Sequence, residues 1–322
     1  MDIDELPHWS SFWDQGYITT FGDSKPKNYD GVVRDFWEEK FLELPTDARI
    51  LDIAAGNGAV ATIAAQVGRK HDKAFFIAAT DIANIHAELV GDEETKLARK
   101  SIEFHSRTPC EHQPFDNDYF NIVTSQFGFE YSDIEKTLAE IRRVLMPGGK
   151  FIAVSHHVDS TLIRTAEVER EIYFRALDKL DIFGAVRRYL KAIGEPAEDP
   201  KLVRKAMKKS RPLSDAVNSK LDEFRSINGS DERSIFIVGV ISQIAHNAMR
   251  MTVAERLDAV DETRTFCQQH RARLDDMVNA ALDQQKIDAL TLAARAAGFE
   301  STHSLKLFAE DDQLAGWQIH LR

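Results

Sequence analysis

The chain has 322 residues, 43% of them hydrophobic and 29% charged, and a formal net charge of −11. That length allows one large domain or two small ones with an ordinary buried core, and the acidic balance argues against non-specific binding to phosphate backbones or anionic lipid. Cys110 and Cys267 are far apart and lack CxxC spacing, which argues against a disulfide framework or a zinc cluster.

The amino-terminal stretch MDIDELPHWSSFW has no basic or apolar region of the signal-peptide kind, and the run IFIVGVI (235–241) is too short to span a bilayer. The expected location is the cytoplasm. Residues 1–27 are rich in aromatics (Trp9, Phe12, Trp13, Tyr17, Phe21) and read as an arm that packs on something. From Tyr29 to Leu44, Val32, Val33, Phe36, Trp37 and Phe41 recur at helical spacing, and Pro45 ends that helix.

The pattern then changes. ARILDIA (48–54) is a short apolar run ending in a glycine turn, followed by the small-residue helix AVATIAAQV. KAFFIAATD (73–81), SIEFHS (101–106) and YFNIVTSQF (119–127) read as three more strands. DIEKTLAEIRRVL (133–145) is helical, stops at Pro147-Gly148-Gly149, and leads into a fifth strand, KFIAVSH (150–156). Continuously apolar strands are buried on both faces, and their alternation with helices predicts a parallel, doubly wound sheet with its ligand at the carboxyl ends of the strands.

From about 160 to 283 the sequence is almost wholly helical, with Pro212 and Gly229-Ser230 as expected breaks. Arg204–Lys209 with Arg211 form a basic cluster, which reads as a solvated helix face but keeps a nucleic-acid substrate open. KIDALTLAARAAGFE (286–300) is a helix closed by Gly298. THSLKLFAE (302–310) and LAGWQIHLR (314–322) read as two strands around a short acidic turn.

LDIAAGNG, TDIAN, PFDNDYFNIVTSQ and IRRVLMPGGKF, followed by the closing hairpin, resemble the motifs of the class I S-adenosylmethionine-dependent methyltransferases, in that family's order. The likeness covers residues 28–157 and 286–322. It implies a seven-stranded, mostly parallel Rossmann-like α/β sheet. The expected division is an arm (1–27), a cofactor-binding core (28–159 and 284–322) and a helical lid (160–283). The activity implied is methyl transfer to the O, N or S atom of a small molecule. Gly56-x-Gly58-x-x-Ala61 also fits a dinucleotide loop. An NAD(P)-dependent oxidoreductase and a non-catalytic cofactor-binding scaffold are therefore competing readings, and a homodimer is compatible with all of them.

Gly56 and Gly58 let the backbone turn sharply and approach a ligand. Ala54 stands where the family usually has glycine and is tolerable if its φ stays negative. By resemblance, these residues and Asn57 cradle the cofactor, with Asp52 at its ammonium end. Asp81, at the end of the second strand, can accept both ribose hydroxyls, though it could instead cap the next helix. Ile82 is expected on the adenine face. Thr108 and Cys110 would line the following loop, where Pro109 replaces the family's usual acid and Glu111 could substitute. Gln126 and Phe127 would line the methionine part, with Tyr29 from the aromatic segment before the core. Glu130, His156 and His157 are the candidate catalytic groups, the histidines because an unperturbed imidazole can take a proton near neutrality. Adjacent histidines on a strand end point opposite ways, so they are not a metal pair. Tyr131, Trp13 and Tyr17 are the candidate acceptor contacts. For each, plain structural packing is the alternative.

Overall fold

The computed structural model describes residues 7–20, 28–85, 93–309 and 312–322. The chain divides into two compact units, Met1–Arg164 with Asp276–Arg322, and Thr165–Asp275.

The first unit holds a seven-stranded sheet. Its strands are β1 (Arg49–Ile53), β2 (Phe76–Thr80), β3 (Ile102–His105), β4 (Phe120–Gln126), β5 (Leu145–Ser155), β6 (Thr302–Phe308) and β7 (Leu314–Leu321). The order across the sheet is β3-β2-β1-β4-β5-β7-β6. β1 to β5 are parallel, and β7 runs antiparallel to both neighbours. Parallel pairing needs crossovers, supplied by α3 (Ala59–Lys70), α4 (Glu93–Arg99) and α5 (Ile134–Val144).

Alternation along each strand sends neighbours to opposite faces. Ile50, Ile122, Ile152 and Val154 pack with Trp37 and Phe41 of α2 (Gly31–Leu42) and with Val60 and Ile63 of α3. Leu51, Ile53, Val123 and Phe151 go the other way, onto Leu138 and Ile141 of α5 and Ile287 and Leu290 of α11 (Gln284–Ala296). Both faces are thus covered, which is why these strands read as unbroken apolar runs.

Two expected punctuation marks behave otherwise. Helix α5 does stop at Val144, but Pro147-Gly148-Gly149 lies inside β5 rather than before it. Phe120 pairs with Leu145 and Ile122 with Lys150, so Met146–Gly149 bulges out between two paired positions, with Gly148 at φ 79°. Pro212 does not break α8, which runs unbroken over Pro200–Asn228. It sits on the exposed side, where the helix forgoes one backbone bond without burying the carbonyl left over. Gly229 does end that helix.

The second unit is helical: the rest of α6 (Thr161–Phe174), then α7 (Ile182–Ile193), α8, α9 (Glu232–Asn247) and most of α10 (Val253–Ala280). Its core includes Phe183, Leu190, Phe224 and Ile237. The fully buried Arg256 donates to the carbonyls of Leu190 (3.1 Å), Thr252 (3.2 Å) and Gly194, and so ties off the end of α7. Among the described residues no helix is long and apolar enough to cross a membrane.

Of the expected arm, residues 1–6 and 21–27 lie outside the described part, as do 310 and 311 of the hairpin turn. The remainder includes α1 (Pro7–Trp13), whose Phe12 and Trp13 pack with Ala83 and Ile85 beyond β2.

Candidate functional site

The carboxyl ends of β1, β2 and β4 open into a cavity of about 710 Å³, within the size range of small-molecule sites. Its floor is the loop after β1. Ala54 has φ 47°, so the expected negative φ does not hold; a left-handed alanine costs roughly 1–2 kcal/mol. A second chain segment crosses this position. Gly128, after β4, lies so close that an added Cβ would sit 2.5 Å from Ala54 Cβ. Gly56, at φ 53°, leaves room for the Trp13 indole, which rests directly on it.

Two buried carboxylates organise this loop. Asp52 accepts from Ala61 N–H (3.1 Å) and the Thr124 hydroxyl (2.9 Å). Asp81 accepts from Gly56 N–H (2.7 Å) and Ala83 N–H (2.8 Å). Burial pushes Asp52 up to about 7 and Asp81 up to about 6, against the hydrogen bonds that favour their ionised forms. Burial, then the charges of Asp52 and Glu130, likewise hold the Tyr29 phenol above its ordinary range.

The wall after β4 is fixed by Ser125, whose hydroxyl donates to Ile53 C=O (3.0 Å) and accepts from Phe129 N–H (3.1 Å). Gln126 accepts from the Trp37 indole N–H (2.7 Å), which leaves its Nε2 donor buried without a protein partner. Glu130 uses Oε1 to accept from His156 N–H (2.8 Å), while Oε2 is buried with no hydrogen bond within 3.5 Å and the Ser155 hydroxyl favours the ionised form. Burial lifts Glu130 to about 7. An unsatisfied buried polar atom beside a cavity calls for a functional role, an ion or a water.

The arm and the last turns of α10 complete the enclosure. Trp9 stacks on Trp13 and meets Tyr131 edge-on at 5.7 Å. Its indole N–H donates to Asp276 (2.9 Å), which also bonds His8 (2.7 Å). The charged side chains lining the cavity are Asp52, Asp81, Glu111, Glu130, Asp133 and Asp276, with no Lys or Arg among the described residues there.

Residues 32–177, from α2 through β5 into the helical unit, match the model of the ubiE/COQ5 methyltransferase family. The match takes in the glycine loop, both organising carboxylates and the wall after β4.

Residues 32–177 thus carry the likeness to the class I S-adenosylmethionine-dependent methyltransferases expected from the sequence.

The antiparallel β7 agrees with this, whereas the oxidoreductase reading expects a sheet without it. The chain is 31% identical over 134 residues to the sterol 4-C-methyltransferase strm-1 of Caenorhabditis elegans, covering 40% of this chain and 36% of that protein. It is 32% identical over 124 residues to the ubiquinone/menaquinone biosynthesis C-methyltransferase UbiE of Rickettsia massiliae, covering 37% and 49%. The chain thus spans less than half the length of either relative. Among solved structures, a geranyl diphosphate C-methyltransferase from Streptomyces coelicolor is similar at 15% identity (TM-score 0.32, 38% and 44% covered). An S-adenosylmethionine-dependent methyltransferase from Mesorhizobium loti is similar at 19% (TM-score 0.29, 40% and 56% covered).

The residues present fit the cofactor. Its sulfonium and ammonium are cations, and the wall is acidic. Its carboxylate needs donors, and the unpartnered Gln126 amide is one.

Of the residues singled out in the sequence, Tyr29, Asp52, Ala54, Gly56, Asp81, Ile82, Cys110, Gln126, Phe127, Glu130, Tyr131 and Trp13 line this cavity. Others stand behind it. Asn57 donates its amide to the carbonyls of Trp13 (3.0 Å) and Tyr17 (2.8 Å), so it anchors the arm. The Tyr17 ring packs on Phe12. Gly58 caps α3 beneath Phe104, and the Thr108 hydroxyl turns to Ser106 C=O.

The histidines are the main correction. His156 lies flat on Phe127 (4.4 Å), one layer behind the wall, and burial pushes it down to about 3. Such a ring stays neutral near pH 7 and is too weak a base to take a proton there. His157 faces away, stacked on Trp317 at 4.7 Å, and is also lowered by burial. Burial raises the Cys110 thiol well above its usual range, which makes it a wall rather than a nucleophile.

The sequence reading missed Gly128, Asp276 and Asn279. Gly128 was discoverable as a glycine directly after a buried strand. Asp276 and Asn279 sit in an amphipathic stretch that looks like any solvated helix.

Proposed function

We propose that this chain transfers the methyl group of S-adenosylmethionine to a carbon atom of an uncharged small molecule. The observation that carries the proposal is Glu130, a carboxyl with one oxygen unpartnered in the wall and a pKa near neutrality. The carbon acceptor replaces the expected O, N or S atom because both named relatives are C-methyltransferases. The acid-only lining disfavours phosphate or carboxylate acceptors by like-charge repulsion.

Bound in the cavity, the cofactor supplies an electrophilic methyl group on sulfur. Asp81 accepts the ribose hydroxyls with the lone pairs its backbone partners leave over. Asp52 holds the loop and sets a negative charge near the ammonium. Trp13 and Tyr131 place the acceptor between aromatic faces and exclude water. Once the acceptor carbon has taken the methyl group through its π electrons, with sulfur keeping the electron pair of the broken methyl–sulfur bond, that carbon must shed a proton. The pair of its C–H bond returns to the π system, and Glu130 Oε2 receives the proton. A base with pKa near the working pH suits that transfer. The helical segment expected as an acceptor lid belongs to the same proposal.

The test is calorimetric titration with S-adenosylhomocysteine. Wild type binds, and Asp81→Ala weakens binding by roughly ten- to a hundredfold, the worth of hydrogen bonds to a charged group. No binding by wild type, or an unchanged Asp81→Ala, refutes the reading.

A further inference from the structure

Helix α8 begins with an unusual distribution of charge. Lys201, Arg204, Lys205, Lys208, Lys209 and Arg211 fall within three turns, and no Asp or Glu occurs from 200 to 214, in a chain of net charge −11. Val203, Ala206, Ser210, Leu213 and Val217 recur at three- and four-residue spacing and turn inward. The basic residues therefore occupy the outward arc, and all six are exposed. Among the described residues none of them forms an ion pair with an acid.

This arrangement works against the helix that carries it. Lys201 and Lys205, Arg204 and Lys208, and Lys205 and Lys209 are like charges four apart, which repel. They also crowd the end of the helix that favours anions, where the N-cap carboxylate of Asp199, which accepts from Lys201 N–H (2.8 Å), offsets only part of their charge. A pattern that opposes local stability calls for an external anion. Two side chains flank the basic arc in the open: Leu202, 56% exposed, and Met207, 47% exposed.

The geometry points to a surface that docks on an anionic lipid bilayer. Headgroups take the Lys and Arg side chains, and the flanking Leu202 and Met207 reach the acyl boundary. A nucleic acid would satisfy the charges but offers nothing to the two apolar flanks, and residues 199–214 contain no aromatic on which a base could stack. The acidic balance of the whole chain, which opposes non-specific adhesion, makes this face the orienting one. Its purpose, drawing an apolar acceptor from a membrane, rests on the proposed function. The binding itself does not.

The full chain is sedimented with vesicles of phosphatidylcholine alone and of phosphatidylcholine with phosphatidylglycerol, at low and at physiological salt, without methyl donor. Binding is expected only to the anionic vesicles and weakens with salt. Lys205→Ala/Lys208→Ala lowers the partition coefficient by about thirtyfold, since each basic residue near the surface contributes about fivefold. Lys205→Arg/Lys208→Arg keeps it, and circular dichroism shows that all three proteins are equally helical. Absence of vesicle binding, equal binding to neutral vesicles, an unaffected alanine variant, or binding to a mixed-sequence RNA duplex in place of vesicles overturns the inference.

Discussion

Replacing Glu130 by glutamine tests the electrostatics of the cavity without touching its shape. Gln keeps an Oε1 acceptor for His156 N–H and removes the ionisable proton. Glu130 titrates at about 7 in the folded chain against an ordinary 4.5. An acid whose pKa is higher folded than unfolded keeps its proton longer in the folded state. Between these two values the folded chain binds more protons, so stability falls as pH rises through that window. At 1.36 kcal/mol per unit, ionised Glu130 costs the ligand-free protein about 3 kcal/mol above pH 7 and almost nothing near pH 4.5. Asp52 and Asp81, also raised by burial, act in the same direction. All four tryptophans (Trp9, Trp13, Trp37, Trp317) belong to the sheet unit, so indole fluorescence during urea unfolding reports that unit alone. Glu130→Gln should exceed wild type by about 3 kcal/mol at pH 8 and by far less at pH 5. Equal stability of the two proteins at pH 8 would show that the carboxyl is not held in the environment described, whereas the wild-type trend alone would not, because the buried His156 pulls the other way.

Two further substitutions probe the loop and the helical unit. Gly56→Ala places a methyl group inside the Trp13 ring contact at a left-handed φ. It should expose Trp13 to acrylamide quenching and weaken S-adenosylhomocysteine at least about tenfold, the worth of roughly 1.4 kcal/mol of strain and lost packing; unchanged quenching and affinity would contradict the packing. Arg256→Met strips the buried donors from the carbonyls of Leu190 and Gly194, and the loss of helical signal in urea should come earlier by about 3 kcal/mol, with Arg256→Lys intermediate because an ammonium cannot bridge both. An unshifted midpoint would mean that water or neighbouring groups already satisfy those carbonyls.

The sheet was legible because its strands carry their burial in their composition. Ile50, Leu51 and Ile53 leave little choice but a strand covered on both sides, and the Gly56-Gly58 turn marks its end. Asp52 and Asp81 were legible for a related reason, since a carboxylate at the end of an apolar strand must find donors. What escaped was decided by contacts between distant residues. Residue 128 must be glycine because it crosses Ala54, and nothing near residue 54 announces that. His156 reads as a base from its type and place, yet its burial behind the wall removes its basicity. Pro147-Gly148-Gly149 looks like a full stop and becomes a bulge because Leu145 pairs before it and Lys150 after it.

The antiparallel β7 has a consequence for how the protein is assembled. It fills the slot between β5 and β6, so the edge of β5 from Phe151 to Ser155 has no lasting partner until residues 314–321 arrive. Residues 156–313 must be traversed first. Contacts so distant in sequence form slowly, whereas helices such as α7 and α8 are joined by local contacts that close quickly. The helical unit is therefore built to order itself while the sheet still waits with one open, apolar flank. That flank is where a stalled or truncated chain would pair with another copy. Trp317, opposite Ser155 in the register of β5 and β7, marks the moment when the edge is sealed.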